Sequence, residues 1–229
     1  MNSKKLETIA STQNNSNKED NKVTTIIFDL GNVVIPYDIN EAVRVFTHLF
    51  KLKQVKKEEM KDKLASEKMD LMRRYEKGLS SDEFCKELSQ KWKVPFAYHF
   101  AKIAEKASYS FFKPITPEMK KLIIRVRSRY KTAALSNTVI PHRDYMLRNY
   151  HLGEMFDHLF FSCDLGKRKP EPQIYSKVLD TMNISADNAV FIDDYKKNVD
   201  AAREIGIDSI LFTSPNELEK DLNQRQITF

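Results

Sequence analysis

Short apolar runs separated by amphipathic stretches set the pattern of this chain. The first, Val23-Thr24-Thr25-Ile26-Ile27-Phe28, is β-branched and almost wholly apolar, which predicts a strand buried on both faces. Further runs at Thr132–Leu135, His158–Phe161, Ala189–Ile192 and Asp208–Phe212 each follow a stretch of helical periodicity, at about 117–129, 140–150, 171–182 and 196–205. Helix–strand alternation with short joins predicts an α/β fold, a Rossmann-like parallel sheet with helices on both faces. Between Asp38 and Ser108 the pattern changes: apolar residues recur at helical spacing and no strand is predicted. Asp38-Ile39-Asn40-Glu41 reads as a capping box, and Gly78 through Phe84 as a helix end, a loop and a fresh N-cap. The predicted organisation is a disordered tail at 1–22, a core of 23–36 and 109–229, and a helical insert at 37–108.

Composition narrows the function classes. The longest apolar run falls well short of the ~20 residues a membrane-spanning helix needs. The N-terminus, rich in Ser, Asn, Lys and Thr, lacks the apolar core of a secretory signal. Two distant cysteines, Cys85 and Cys163, point away from a disulfide scaffold or zinc ribbon and toward a reducing cytoplasm; Cys163 reads as a small buried hydrophobe. A net charge of +6 suits a phosphorylated small molecule. The densest basic stretch, Lys120 to Lys131, reads as the wet side of an amphipathic helix, so no nucleic-acid partner is expected.

Candidate chemistry lies where the predicted strands end, the edge at which parallel sheets bind ligands. Asp29 closes the first strand and can attack phosphorus, or simply cap a turn. Ser136 and Asn137 can donate to a phosphoryl oxygen, or cap the following helix. Lys169, stiffened by Pro170 and Pro172, can offset negative charge; Lys167 and Arg168 are expected to be solvated or to meet an anionic substrate. Asp193 and Asp194 point different ways from one strand end, which suggests Asp194 as a Mg²⁺ ligand and Asp193 as the residue orienting Lys169 or a metal-bound water, with Asn198 securing the loop. An ordinary N-cap is the plainer reading of that acidic pair.

In this order, Phe28-Asp29-Leu30-Gly31-Asn32-Val33, Leu135-Ser136-Asn137, Lys169-Pro170 and Val190 to Asp194 resemble the motifs of the haloacid dehalogenase superfamily of hydrolases. The resemblance covers about residues 23–212 and lies nearest the phosphatases with a small helical cap. Tyr75-Glu76-Lys77-Gly78 and Leu135 to Thr138 are similar to the branch that includes bacterial α-D-glucose-1-phosphate phosphatase. It implies Asp29 as nucleophile and Mg²⁺ ligand, the Gly31 carbonyl and Asp194 as further ligands, Ser136 and Asn137 as phosphoryl clamps, and Lys169 as neutralising cation. Most phosphatases of the superfamily carry a general acid two residues after the nucleophile; here that position is Gly31. Such a group contributes about 10²–10⁴ in rate, so a substrate with a better leaving group, such as glucose 1-phosphate, is expected.

The expected activity is therefore Mg²⁺-dependent hydrolysis of a small phosphomonoester, a sugar phosphate, through an aspartyl-phosphate on Asp29. The alternative is a weakly active or inactive protein of the same fold that binds a small phosphorylated metabolite or a partner. C–halogen hydrolysis is disfavoured by the Asp193–Asp194 pair, and a mutase by Gly31. Arg44, Met69, Arg73, Arg74, Tyr75 and Trp92 are candidate substrate contacts from the cap, with Met69, Tyr75 and Trp92 equally suited to its own core. Oligomeric state is left open.

Overall fold

A computed structural model describes residues 23–38, 41, 70–92, 105–106 and 108–229. The expected tail at 1–22, most of the helical reading at 39–69, and the candidate contacts Arg44 and Met69 lie outside the described residues, as does the side chain of Trp92.

Strand β1 (Thr25–Phe28) is buried along its whole length. After an excursion that includes helix α1 (Ser81–Trp92), the alternating pattern follows: α2 (Pro117–Arg127), β2 (Lys131–Ser136), α3 (Ile140–Asn149), β3 (His158–Phe161), a single turn α4 (Ser162–Leu165), α5 (Pro172–Met182), β4 (Ala189–Asp193), α6 (Lys196–Glu204), β5 (Asp208–Leu211) and α7 (Pro215–Gln224). All strands run parallel in the order β3-β2-β1-β4-β5. The fold expected from the sequence is therefore present, with β1 at its centre.

Period-two side-chain alternation divides the core. Ile26 and Phe28 of β1 face one side, where they pack with Met119, Leu122, Ile123 and Val126 of α2 and Leu218 and Leu222 of α7. Ile27 faces the other, with Ile174, Tyr175 and Val178 of α5 and Ala201 and Ala202 of α6. Each fully buried Ile or Phe contributes about 1.5–3 kcal/mol, so neither layer can be stripped without losing the sheet. Helix starts follow local chemistry: Thr116 caps α2 by accepting from Met119 N at 3.3 Å, and Ser214 caps α7 by accepting from Glu217 N at 3.3 Å.

Several expected bounds shift. Strand β1 begins at Thr25 rather than Val23; β2 runs on to Ser136 and β4 to Asp193, one residue beyond the expected ends in each case. Helix α7, which buries Leu218 and Leu222, has no counterpart in the sequence reading.

The excursion between β1 and α2 leaves and returns side by side. Tyr37 bridges Phe112 in antiparallel sense, Asp38 N donates to Phe111 O at 3.0 Å, and Lys113 N donates to Pro36 O at 2.9 Å. The capping geometry expected at Asp38 is present, its Oδ1 accepting from Glu41 N at 3.1 Å. Helical residues 70–76 end at Gly78, whose φ of +103° is a left-handed value that favours glycine. Ser80 and Glu83 then form a reciprocal capping box: Glu83 N donates to Ser80 Oγ, and Ser80 N to Glu83 Oε2, both at 3.2 Å.

Candidate active site

Central β1 delivers Asp29 to the carboxyl edge of the sheet, and neighbouring β4 delivers Asp193 and Asp194 beside it. One carboxylate oxygen from each of the three lies within 4.8 Å of the others. Lys169 reaches the same point from the turn before α5 and is 1% exposed. Its Nζ contacts Asp29 Oδ1 and Asp193 Oδ2, each at 2.7 Å, and donates to Leu135 O at 2.8 Å. Its three protons are thus all engaged.

The carboxylates are not equivalent. Asp193 is fully buried and saturated: Oδ1 accepts from Tyr195 N at 2.8 Å and Asn198 Nδ2 at 3.0 Å, while Oδ2 accepts from Lys169 and from Asn198 at 3.0 Å. Asn198 therefore bonds the loop through the Asp193 carboxylate. Asp29 Oδ1 accepts from Leu30 N at 2.8 Å and from Lys169; among the described residues Oδ2 takes no hydrogen bond and stays available. Asp194 is exposed, in contact with the side-chain amide of Asn32.

Electrostatics follow from this crowding. Burial pushes the Asp29 carboxyl up to about 7, helped by the Asp193 charge and opposed by Lys169. Burial and Asp193 likewise raise Asp194, against the Asn32 amide. Burial alone would disfavour charge on Lys169, but Asp29 and Asp193 outweigh it and hold its pKa above the ordinary lysine value. With all groups ionised, three carboxylates against one ammonium leave two negative charges. Hard oxygen donors with that excess suit a divalent cation such as Mg²⁺, for which Asp29 and Asp194 have capacity to spare and Asp193 has none.

Ser136 is buried at the end of β2. The Asn137 side chain pins the Lys169 backbone, Oδ1 accepting from Lys169 N and Nδ2 donating to Lys169 O, both at 2.8 Å. Gly31 lies two residues after Asp29, and a Cβ built there would meet no atom within 4 Å. Arg168 departs from expectation: its Nε pairs with Glu76 Oε2 at 2.6 Å instead of being solvated. Arg74 is held by Glu87 at 2.7 Å, and Tyr75 stacks on Phe84 at 4.2 Å between ring centroids; Arg73 is exposed. Cys163 is buried as expected.

Asn32 was not singled out in the sequence. Its signal is position: it follows Gly31 at a turn and has φ +56°, a conformation that Asn tolerates better than most residues. Its Oδ1 also accepts from Tyr37 N at 3.0 Å.

Asp29, the buried Lys169 and the Asp193–Asp194 pair, each from a different strand end or loop, meet at the carboxyl edge of the parallel sheet. Residues 23–206 match the haloacid dehalogenase-like hydrolase family, and the chain belongs to that family. D-ribitol-5-phosphate phosphatase of Bacteroides thetaiotaomicron is 26% identical over 194 residues, 82% of this chain and 90% of that protein. Bifunctional epoxide hydrolase 2 of Rattus norvegicus is 44% identical over 73 residues, 30% of this chain; the match takes in only 13% of that enzyme. The crystal structure of the HAD family enzyme bt-2542 from Bacteroides thetaiotaomicron in complex with magnesium and inorganic phosphate superposes with a TM-score of 0.68 at 24% identity, covering 83% of this chain and 94% of that one. The fold and the hydrolase class read from the sequence are borne out.

Among the described residues, no helix is long and apolar enough to cross a membrane.

Proposed function

We propose that this chain is a Mg²⁺-dependent phosphatase acting on a small phosphomonoester. The carrying observation is the division of labour among the carboxylates: Asp193 is saturated and holds Lys169, while Asp29 keeps Oδ2 free and Asp194 is accessible. In this reading Asp29 Oδ2 forms a bond to phosphorus as the bond to the leaving oxygen breaks, giving an aspartyl-phosphate. Water then attacks phosphorus, releasing inorganic phosphate and regenerating Asp29. Asp29, the Gly31 carbonyl and Asp194 would hold Mg²⁺, which when bound supplies positive charge against the phosphoryl oxygens. Lys169 keeps Asp29 oriented through Oδ1, and Ser136 and Asn137 line the phosphoryl side. With no side chain at Gly31, the departing oxygen takes its proton from solvent.

In this reading the segment 37–108 selects the substrate. The phosphatase similarity to a sugar-alcohol phosphate enzyme favours a sugar phosphate. The bare Gly31 favours a substrate whose leaving group departs readily, and a sugar 1-phosphate such as glucose 1-phosphate fits that demand.

The test is phosphate release from sugar phosphates, nucleotides and p-nitrophenyl phosphate, with Mg²⁺ or a chelator, by the native chain and the Asp29→Asn and Asp194→Asn variants. Turnover that requires Mg²⁺ and Asp29, with weaker Mg²⁺ dependence in Asp194→Asn, is expected. Folded protein that binds Mg²⁺ and phosphate without turning over any substrate would replace this reading with a binding protein, and Gly31 would be the reason.

A further inference from the structure

The turn that carries Lys169 is held from both sides. On the core side Asn137 clasps the Lys169 backbone, with both bonds at 2.8 Å. On the other side stand residues 76–78 of the excursion between β1 and α2. Glu76 Oε2 meets Arg168 Nε at 2.6 Å, and Lys77 Nζ meets Glu171 Oε1 at 2.5 Å. The two pairs straddle Lys169: Arg168 precedes it, Glu171 follows, and Glu171 N donates to Arg168 O at 2.8 Å to close the turn. The charges are complementary in order, Glu76-Lys77 against Arg168 and Glu171.

Backbone contacts fix the same junction. Ser162, fully buried, donates to Glu76 O at 2.6 Å and accepts from Thr138 N at 2.9 Å. One hydroxyl thus joins the 76–78 turn to the loop that follows Ser136 and Asn137, at the start of the segment leading to Lys169. Gly78 packs so closely that a Cβ there would lie 2.7 Å from Cys163 O. Exposed ion pairs contribute little one at a time. Here the pairs are two-thirds buried or more, and two of their members flank the lysine itself.

We propose that Glu76 is a positioning residue for Lys169, acting through Arg168, so that the seated 76–78 turn holds the lysine ammonium against Asp29. This inference rests on the phosphatase reading for its kinetic consequence only; the structural consequence stands apart from it. A displacement of about 1 Å in a catalytic group can cost about 10²-fold in rate. Substrate binding energy need not change, so the effect belongs in kcat.

The experiment compares the native chain with Glu76→Gln, Arg168→Gln, the charge swap Glu76→Arg with Arg168→Glu, and Gly78→Ala. Two quantities are read: steady-state kinetics on p-nitrophenyl phosphate with Mg²⁺, and hydrogen exchange of the Lys169 amide, which bonds to Asn137 Oδ1. Expected are a roughly tenfold fall in kcat with KM nearly unchanged, and Lys169 exchange at least about tenfold faster while β4 amides keep native protection. The swap should recover most of both. Unchanged Lys169 exchange in Glu76→Gln and Gly78→Ala would overturn the proposal. So would faster exchange with kcat intact in an active enzyme, because the lysine would then not depend on the turn. If the native chain shows no turnover, the phosphatase reading fails on its own, and the exchange comparison alone decides whether Glu76 positions Lys169.

Discussion

Replacing Asp193 with Asn tests what holds Lys169 in place. The substitution is nearly isosteric and removes one charge from a fully buried cluster. At an effective dielectric of about 20, the 2.7 Å contact with Lys169 is an attraction of roughly 6 kcal/mol. Asp29 and Asp194, with oxygens no more than 4.8 Å away, repel the ionised Asp193 by at least about 3.5 kcal/mol each when both are charged. The Coulomb contributions therefore almost cancel, and hydrogen-bond geometry decides the outcome. Asp193 accepts from Tyr195 N, Asn198 and Lys169 through two oxygens. An Asn has only one acceptor oxygen, and its NH₂ must face either Lys169 or Tyr195 N; Asn198 can rotate its amide to accept, but those two cannot. One buried donor is left unmet, at a cost of about 1–3 kcal/mol. Taking about 2 kcal/mol, and about 2–4 °C per kcal/mol for a domain of this size, Tm should fall by about 4–8 °C. Thermal unfolding in chelator, followed by circular dichroism, measures it. A variant as stable as the native chain, or more stable, would refute the reasoning, because repulsion within the cluster would then outweigh the bonds that Asp193 accepts.

Gly31→Asp should fit without backbone strain, since a Cβ there meets nothing within 4 Å and φ is not left-handed. On alkyl phosphates kcat should rise about tenfold or more, toward the 10²–10⁴ of general acid catalysis; p-nitrophenyl phosphate, whose phenolate leaves without a proton, should barely respond. Parallel kinetics on both substrate types check this, and equal responses would remove Gly31 from leaving-group chemistry. His142, whose Nε2 lies 2.6 Å from Ser108 Oγ between Tyr109 and Phe112, has its pKa lowered to about 4 by burial. Its folded pKa lies below the ordinary 6.5, so the unfolded chain binds the proton first. The stability His142 confers is whole above pH 6.5 and is lost as pH falls to about 4, by up to about 3 kcal/mol. Urea unfolding across that range should show a smaller loss in His142→Gln than in the native chain.

The strands were legible because each is a run of apolar residues that a two-sided parallel sheet requires; His158–Phe161 is found with the expected bounds. Asp29, Asp193 and Asp194 were legible because strand ends fix where such residues can meet. So was the pairing of Asp193 with Lys169, whereas the partners of Asn137 and Arg168 were not. Asn137 reads as a donor toward a ligand, yet its amide clasps the Lys169 backbone 32 residues away. Arg168 reads as solvated because nothing local foretells Glu76, 92 residues earlier. Helix α7 carries legible signals, Ser214 before Pro215 and the buried Leu218 and Leu222 at i, i+4 spacing, but they lie beyond Phe212, past the last predicted strand. Local pattern states which residue type sits at an edge, but not which distant group will claim its hydrogen bonds.

The pairing of Tyr37 with Phe112 brings the two ends of the excursion to neighbouring positions through one isolated antiparallel bridge. From the viewpoint of the sheet, everything between them is one hairpin connection, however long. Descendants of such a gene could lengthen, shorten or exchange that segment while β1 kept its register and Asp29 its place. The freedom has a boundary at Glu76 and Lys77, because a replacement segment must still present partners to Arg168 and Glu171. Diversity in what the protein accepts can therefore accumulate in the excursion, while the few residues that meet the core change only together with it.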